Sequence, residues 1–330
     1  SGNAALDLAV NFSSSSSVEL TASSVIQAGN PVGLDDAGKA SVITTVTDAN
    51  TRSFGSATNF DTSGDDASSI STTYDSTNDR VVVVYKSGTT TYGLAVVGTV
   101  SDTSISFGTP VVFETGNTIA TACTYDSTND RVVISYADAG NSEYGTVIVG
   151  TVSGTSISFG TAVVFESAAV YHTSITYDST NNRVVIFYSD GGNSSYGTAI
   201  VGTVSGTSIS FGAAVVFETN SINLLTTSAY DSTNDRVVVA YRDPGNSNYG
   251  TAVVGAVSGT SISFGTPVVF DTSTSNTWST VYDSTNNRIV ITYQDGSNGY
   301  VNTAIVGTVS GTSISFGTKV EISASESSYI

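Results

Sequence analysis

Tyr-Asp-Ser-Thr-Asn-Asp-Arg-Val-Val-Val-Val-Tyr, residues 74–85, contains the heptad that decides the fold. The heptad, Tyr-Asp-Ser-Thr-Asn-(Asp/Asn)-Arg, occurs five times, 51 to 53 residues apart, starting at Tyr74, Tyr125, Tyr177, Tyr230 and Tyr282. A period of this length indicates a repeat architecture in which each copy is one structural unit stacked on its neighbours. The 330-residue chain is therefore expected to be one array of similar units rather than several unrelated domains.

Each copy of the repeat reads as four short strands. In the second copy, strands are predicted at 119–125, 131–136, 144–152 and 156–165, joined by turns rich in Gly, Asn, Asp and Ser. Nearly continuous apolar runs, such as 81–85, indicate strands that are buried on both faces. A four-stranded antiparallel unit at this period predicts a β-propeller blade. A β-solenoid is the alternative, but its coils are usually shorter.

The chain ends decide how many blades there are. Ser-Phe-Gly marks a fourth strand six times, ending at Gly55, Gly108, Gly160, Gly212, Gly265 and Gly317. We therefore predict an all-β, six-bladed β-propeller of four-stranded antiparallel blades over residues 23–330, preceded by an N-terminal tether at 1–22. The five regular blades are predicted at about 67–114, 117–166, 169–218, 221–271 and 274–322.

The remaining blade is irregular and is assigned to residues 23–62. The turn at 35–38 is expected to join its short second and third strands. Its innermost strand comes either from residues 23–28 or from the C-terminal segment 323–330, which we slightly favour. The second choice would join both chain ends in one blade and so remove free sheet edges.

Composition excludes several classes of function. A net charge of −18 argues against electrostatic binding of nucleic acid or anionic lipid. The single cysteine excludes a disulfide framework and a Cys metal cluster. Neither a run of 18 apolar residues nor a signal peptide is visible, so no membrane insertion is expected. Because the chain starts at Ser1 and contains no methionine, we expect a processed product or a fragment. No cofactor and no metal are predicted.

The constant positions of the repeat are interpreted as scaffold. The Asp of each heptad is expected to cap backbone amides in an Asx-turn and to pair locally with the Arg that ends the heptad. A ring of calcium sites is the alternative, but the Arg disfavours a cation and the ligand spacing of a calcium loop is absent. Aromatic residues that recur on the second and fourth strands are predicted to pack between blades: Tyr85, Tyr136, Tyr188, Tyr241, Tyr293, Phe107, Phe159, Phe211, Phe264 and Phe316.

Two sets of residues are candidates for ligand binding. The first, the variable rim, lies in and just after the inter-blade connections, which differ between copies while the other turns do not: Asp65, Asp66, Asn117, Tyr171, His172, Asn223, Leu224, Asn276 and Trp278. The second, the loop set, follows the second strand of three blades: Asp138, Asn141, Tyr144, Asp190, Asn193, Tyr196, Asp243, Asn246 and Tyr249. A carboxylate, an amide and a tyrosine suit sugar hydroxyls, although Asp and Asn are also ordinary turn residues. Neutral drift is the alternative explanation of the variable rim.

Catalytic chemistry has little support in the sequence. His172 is the only histidine and has no recurrent nucleophile partner. Cys123 falls within a predicted inner strand, where a small buried residue is expected. Asp65 and Asp66 are adjacent in a loop and are expected to be solvated, and the Asp-box of sialidase propellers is absent. The protein is therefore predicted not to be an enzyme.

The repeat text resembles the repeats of tail-fibre-like virion structural proteins of marine bacteriophages. The resemblance rests on Tyr-Gly-Thr-Ala-Ile-Val-Gly-Thr-Val-Ser-Gly-Thr-Ser-Ile-Ser-Phe-Gly (196–212), on Asp-Ser-Thr-Asn-Asn-Arg-Val-Val-Ile before it (178–186), and on the segments 26–35 and 325–330. It covers roughly residues 23–330 and implies display on a virion surface, but it supplies no ligand-binding motif.

The sequence thus predicts a non-enzymatic virion surface or fibre protein that acts in attachment or adhesion through the variable rim. Its expected partners are other virion or fibre subunits, further copies of itself, and a glycan or protein of the host surface. The alternatives are a secreted or cell-surface carbohydrate-binding propeller, which would use the loop set, and an architectural decoration protein without a ligand.

Overall fold

The structure is a computed structural model that describes residues 32–34, 40–42, 55–61, 66–222 and 226–326. It divides into two compact units, Ser1–Gly55 and Ser56–Ile330. In the first unit, β1 (Val32–Leu34) and β2 (Ala40–Val42) pair as an antiparallel hairpin across the predicted turn. No helix among the described residues is long and apolar enough to cross a membrane.

The second unit consists of five four-stranded antiparallel meanders, called blades I to V below, so the prediction of an all-β fold built from such units is confirmed. Blade I contains β3 (Ser68–Asp75), β4 (Arg80–Lys86), β5 (Gly93–Ser101), β6 (Ser104–Phe107) and β7 (Val111–Glu114). Blade II contains β8 (Thr118–Asp126), β9 (Arg131–Asp138), β10 (Tyr144–Ser153), β11 (Ser156–Phe159) and the first part of β12 (Val163–Asp178).

The next three blades repeat this order. Blade III contains the rest of β12, β13 (Arg183–Asp190), β14 (Tyr196–Ser205), β15 (Ser208–Phe211) and β16 (Val215–Ser221). Blade IV contains β17 (Thr227–Asp231), β18 (Arg236–Asp243), β19 (Tyr249–Ser258), β20 (Ser261–Phe264) and the first part of β21 (Val268–Asp283). Blade V contains the rest of β21, β22 (Arg288–Asp295), β23 (Val301–Ser310), β24 (Ser313–Phe316) and β25 (Val320–Glu326).

The fourth strand of every blade is interrupted, whereas the sequence predicted a continuous strand over 156–165. In blade II, the two segments are β11 and the first part of β12. Both pair with the third strand, β10, each along one half of its length. The break starts at Gly160, where a side chain would lie 2.1 Å from the carbonyl oxygen of Thr207 in the next blade. The strand therefore stops where the neighbouring blade approaches too closely for any residue except glycine.

The first strands of the five blades surround one cavity of about 480 Å³. It is lined by residues of β3, β8, β12, β17 and β21 and of the adjoining turns, including the tyrosine that begins each heptad. Outside this cavity, the second and third strands form the core, and the second-strand tyrosines Tyr85, Tyr136, Tyr188, Tyr241 and Tyr293 are fully buried as predicted. Consecutive blades therefore pack on each other through largely apolar interfaces.

The blade assigned to residues 23–62 falls largely outside the described residues. Of the C-terminal segment 323–330, the backbone of 323–326 belongs to β25, which pairs with β23 in blade V. The proposal that the C-terminus supplies an innermost strand therefore concerns residues 327–330, which are not among the described residues.

Candidate functional site

The heptad turns are structural, as predicted, and they join neighbouring blades. In blade II the carboxylate of Asp126 accepts hydrogen bonds from the amides of Thr128 and Asn129, at 3.1 and 2.9 Å. The Asn129 side chain donates to Asn182 of the next heptad, at 3.2 Å. The hydroxyl of Tyr177 donates to Thr128, at 2.5 Å. The constancy of the heptad is thus explained by contacts within and between copies.

The prediction that the Asp and the Arg of each heptad form a local pair is wrong. Arg131 donates from Nε to the carbonyl oxygen of Gly206 at 2.9 Å, and Arg183 makes the same bond to Gly259 at 2.8 Å. These glycines lie in the third turn of the following blade, about 75 residues along the chain. The guanidinium groups of Arg80, Arg131, Arg183 and Arg236 therefore link the first turn of one blade to the third turn of the next, and this face of the molecule is occupied by scaffold contacts.

The opposite face brings the two predicted sets of binding residues together. It contains the second turn of each blade and the inter-blade connections. Tyr144 of the loop set lies opposite Ala169 of the connection, and Asp190 lies opposite Val170. The amide of Ala139 donates to the carbonyl of Asn117 at 2.9 Å. The sequence treated the two sets as competing sites, but the strand register makes them neighbours.

Within the loop set, the three residue types have different roles. The second turns of blades II to V are short 3-10 turns: Ala139–Asn141, Gly191–Asn193, Pro244–Asn246 and Gly296–Asn298. Asp190 and Asp243 are buried and accept backbone amides of the turn that follows them, so they hold the turn in shape. Asn141, Asn193 and Asn246 are exposed, while Tyr144, Tyr196 and Tyr249 are half-buried. The asparagines are thus the most exposed members of the loop set.

Sequence reasoning missed an acidic residue in the fourth strand of blades I to IV. Four blades share the motif Val-Val-Phe-(Glu/Asp), which places Glu114, Glu166, Glu218 and Asp271 at this position. Each carboxylate accepts a hydrogen bond from the buried second-strand tyrosine of the next blade, at 2.9 to 3.2 Å. These tyrosines were predicted to pack between blades, and their hydroxyls also fix the carboxylates.

Each of these carboxylates faces the loop aspartate of the next blade. We call the four groups the carboxylate pairs: Glu114/Asp138, Glu166/Asp190, Glu218/Asp243 and Asp271/Asp295. In the first pair, a Cβ atom placed on Gly116 would lie 3.3 Å from Oε1 of Glu114 and 3.1 Å from Oδ1 of Asp138, so the two carboxylates approach the same place. Two like charges therefore meet at every described junction between consecutive blades.

The electrostatics of the pairs follow from burial and from this proximity. Burial, and then the charge of Glu114, raise the pKa of Asp138, and the same two causes involving Glu218 raise the pKa of Asp243. Burial and the Asp190 charge likewise raise the pKa of Glu166. Desolvation also raises the pKa of the tyrosines that bond the pairs. These tyrosines therefore remain neutral hydrogen-bond donors at physiological pH.

The pair between blades IV and V differs from the others. The ammonium of Lys319 lies 2.9 Å from Asp271 and 2.5 Å from Asp295, and the hydroxyl of Ser273 donates to both carboxylates. Burial opposes ionisation of Asp295, but the bonds from Lys319 and the serines lower its pKa to about 2. The Lys319 ammonium therefore offsets part of the negative charge of this pair from within the chain.

The described residues of the variable rim lie on the same face. Asp66 and Asn117 are exposed, Tyr171 is 40% exposed and His172 is half-buried. Asn276 is held by Arg242 and Gln294, at 3.3 and 3.2 Å. Only the backbone of Trp278 is described, within β21, and the other three positions of the set, Asp65, Asn223 and Leu224, lie outside the described residues.

One further cavity, of about 410 Å³, includes a variable-rim residue. Asp66 lines it together with Asn59, Phe60, Asp61 and Ile70. Its volume is within the range of small-molecule sites, and it combines carboxylates with an amide and an aromatic ring. Unlike the carboxylate pairs, it occurs at one place in the described residues.

The residues considered for catalysis or metal binding are placed separately. Cys123 is buried in β8, and desolvation raises the pKa of its thiol to about 12, which disfavours the thiolate form. Over the described part of the chain, no group of three or more His, Cys, Asp or Glu side chains is placed to hold a metal ion.

No protein-family model and no curated protein sequence matches the chain. Solved structures are similar in fold. A protein from Lactobacillus plantarum is 9% identical with a TM-score of 0.54, over 76% of this chain and 70% of that one. A protein of unknown function from Dyadobacter fermentans is 12% identical with a TM-score of 0.50, over 73% and 78%. These identities show the likeness of fold alone.

Lectins are also among the similar structures. The Aleuria aurantia lectin, in complex with α-methyl-L-fucoside, is 14% identical with a TM-score of 0.48, over 76% of both chains. At this TM-score the likeness carries no argument about a ligand of the present chain.

Proposed function

We propose that this protein is a non-enzymatic carbohydrate-binding protein that uses the face formed by the second turns and the inter-blade connections. One observation carries the proposal: the same polar group recurs at three of the four described junctions between consecutive blades on that face. It consists of a carboxylate pair, an exposed asparagine and a half-buried tyrosine. The other face is constant in sequence, and its heptad turns are occupied by bonds between blades.

The chemistry of each junction suits a sugar. Carboxylates accept hydrogen bonds from hydroxyl groups, and these charge-assisted bonds are stronger than neutral ones. The side chains of Asn141, Asn193 and Asn246 can both donate and accept. Tyrosine rings offer an apolar surface with a polar edge, and they lose little conformational entropy on binding. Buried hydrogen bonds already fix the carboxylates, so a ligand would meet a preorganised site.

Repetition supports a multivalent mode of binding. The second turns of blades II to V have the same backbone geometry, each ending in a residue in the left-handed region with φ between 56° and 64°. A repetitive glycan could engage several of these sites at once, so weak single contacts would add up to useful avidity.

We further propose that the blades form a six-bladed propeller completed by residues 23–62. Val306 of blade V is 44% exposed, whereas the equivalent Val149, Val201 and Val254 are almost fully buried by a following blade. At blade I, the centroid of the Phe60 aromatic ring lies 5.1 Å from that of Tyr85. Phe113 and Tyr136 make the equivalent contact in the interface between blades I and II. An apolar blade face without a neighbour is costly in water, which supports a sixth blade between blades V and I.

Display on a virion, assembly with fibre subunits, homo-oligomers and attachment to a host surface remain predictions from the resemblance of the repeats. Secretion is the alternative location. Carbohydrate binding is compatible with both, since a glycan-binding face would serve an attachment protein and a secreted lectin alike.

A glycan array tests the proposal. We expect binding that is lost when Asn141, Asn193 and Asn246 are replaced together by alanine, because all three lie on the proposed face. The matched control replaces the exposed Ser156, Ser208 and Ser261, at the third turns of the same blades, and should bind like the wild type. Absence of binding to any glycan, or equal loss in both triple variants, would refute the proposal.

A second pair of variants separates the two predicted sets. Loss on replacement of Tyr144, Tyr196 and Tyr249 would assign binding to the loop set. Loss on replacement of Tyr171 and Trp278, with the loop tyrosines intact, would assign it to the variable rim.

A further inference from the structure

The four carboxylate pairs are equivalent in structure but not in charge. At the pair Asp271/Asp295, the Lys319 side chain enters from the fourth strand of blade V and places its ammonium between the two carboxylates. The side chain of Lys319 is 43% exposed, so the path that it occupies opens to solvent. The two carboxylates of this pair thus bind an ammonium group that belongs to the chain itself.

Strand register identifies the residues that replace Lys319 at the other junctions. Val320 pairs with Ala304, as Val163, Val215 and Val268 pair with the third strands of blades II, III and IV. The residues before these valines are Ala162, Ala214 and Pro267, and all three are exposed. No side chain at this position therefore reaches the other three pairs as Lys319 reaches the fourth.

The three pairs without lysine lack a counter-charge. Among the described residues, the ion pairs found are those of Lys319. Oδ1 of Asp138 is buried beside Glu114 without a counter-ion. The pKa values of Asp138, Glu166 and Asp243 are raised, first by burial and then by the facing carboxylate, whereas the pKa of Asp295 beside Lys319 is lowered to about 2. An unpaired like-charge group of this kind is costly unless a cation joins it.

We propose that the pairs Glu114/Asp138, Glu166/Asp190 and Glu218/Asp243 each bind a protonated primary amine in the place that the Lys319 ammonium fills at the fourth pair. This inference rests on the proposed function and deepens it: the glycan is one that carries free amino groups, as in a de-N-acetylated amino sugar. An amine fits better than a metal ion, because each pair offers two carboxylates and the lysine shows that two are enough for an ammonium.

The exposed asparagines place the rest of such a sugar. Asn141 follows Asp138 in the same turn, and Tyr144 lies opposite Asp138 across the strand pair. An amino group held by the carboxylates would leave the hydroxyl groups of the ring near these two side chains. The amine would supply charge recognition, and the loop set would supply recognition of the ring.

Site-resolved NMR of the full chain tests the inference. The backbone amides of Gly140, Gly192 and Gly245 report on the three pairs, and that of Ser297 reports on the pair filled by Lys319. The probes are D-glucosamine, N-acetyl-D-glucosamine, methylammonium chloride and calcium chloride. We expect glucosamine and methylammonium to shift the three glycine amides and not Ser297, with glucosamine binding about tenfold more tightly than its N-acetyl form because a charged donor is lost on acetylation.

Variants of the chain itself supply the controls. Ala214→Lys should fill the pair Glu166/Asp190 and abolish the shift at Gly192 alone. Lys319→Ala should empty the fourth pair and create an amine-dependent shift at Ser297. Because a new lysine could disturb packing, Glu166→Gln provides a second variant that removes one charge without filling the space, and it should also weaken binding at Gly192 alone.

The outcomes separate this inference from the proposed function. Array glycans that bind equally with free and acetylated amino groups would overturn the inference and leave carbohydrate binding intact. Calcium shifts at the three glycines without amine shifts would also overturn it. Amine binding at the pairs by a protein that binds no glycan would overturn the proposed function, and the amino-sugar assignment with it.

Discussion

Replacement of Lys319 by alanine tests whether the carboxylate pairs are electrostatically strained. In the wild type the bonds from Lys319, Ser297 and Ser273 outweigh burial and hold the pKa of Asp295 at about 2, against an ordinary value of 3.8. A shift of this size corresponds to about 2 kcal/mol of stability at neutral pH. Since 43% of the lysine side chain is exposed, solvent screens part of the interaction. We therefore expect Lys319→Ala to lower the free energy of unfolding by about 1–2 kcal/mol at pH 7.

The pH dependence of this loss identifies its cause. A lowered folded-state pKa stabilises the protein above the unfolded pKa, near pH 4, and that stabilisation disappears as the pH falls through about 2. The difference between wild type and Lys319→Ala should thus shrink from pH 7 toward pH 2. Urea denaturation across this range measures it, and at pH 7 the melting temperature should fall by about 2–6 °C.

A matched control separates charge pairing from the loss of a lysine. Lys86 ends a second strand and has no ion pair among the described residues, so Lys86→Ala should change stability by less than about 0.5 kcal/mol. If Lys319→Ala were as stable as the wild type at pH 7, or if its deficit persisted unchanged at pH 2, the electrostatic account of the pairs would be refuted.

Three further predictions concern the scaffold and the pairs. Arg183→Ala should cost about 1 kcal/mol more than Arg288→Ala in urea denaturation, because Arg183 bonds the next blade and the described bonds of Arg288 go to its own turn. Tyr177→Phe should lower the free energy of unfolding by about 1 kcal/mol and Tyr74→Phe by less than about 0.5 kcal/mol. The reason is that the Tyr177 hydroxyl bonds two blades, whereas the exposed Tyr74 bonds its own turn. Equal losses would contradict the account of the heptad. The raised pKa of Glu166 contributes stability that is present at low pH and lost as the pH rises through that pKa, so Glu166→Gln should weaken this decline between pH 4 and pH 7, and an unchanged pH profile would argue against the pairing.

The sequence predicts the strands, the turns and the scaffold role of the heptad because these depend on local patterns. Apolar runs give the buried second strands, and Asx chemistry gives the first turn. The partner of Arg131 could not be predicted, because Gly206 is 75 residues away and belongs to another blade. Only the arrangement of blades around a common cavity brings these two groups together.

The carboxylate pairs illustrate the same limit at the candidate site. Recurrence of Glu114, Glu166 and Glu218 after Val-Val-Phe was a usable signal, but each glutamate resembles a solvated strand end until its partner is known. Its partner lies some 24 residues later, on the next blade, and the approach depends on how the two blades pack. The role of Lys319 is even harder to predict, since the lysine replaces alanine or proline in a single copy of the repeat.

The most direct test of the central claim is an experimental structure of the full chain with the glycan that binds best on the array. We predict ligand density at the junctions between consecutive blades, against Asn141, Asn193 or Asn246, with its polar groups directed at the carboxylate pairs. Density confined to the central cavity, to the Asp66 cavity or to the face of the heptad turns would contradict the account.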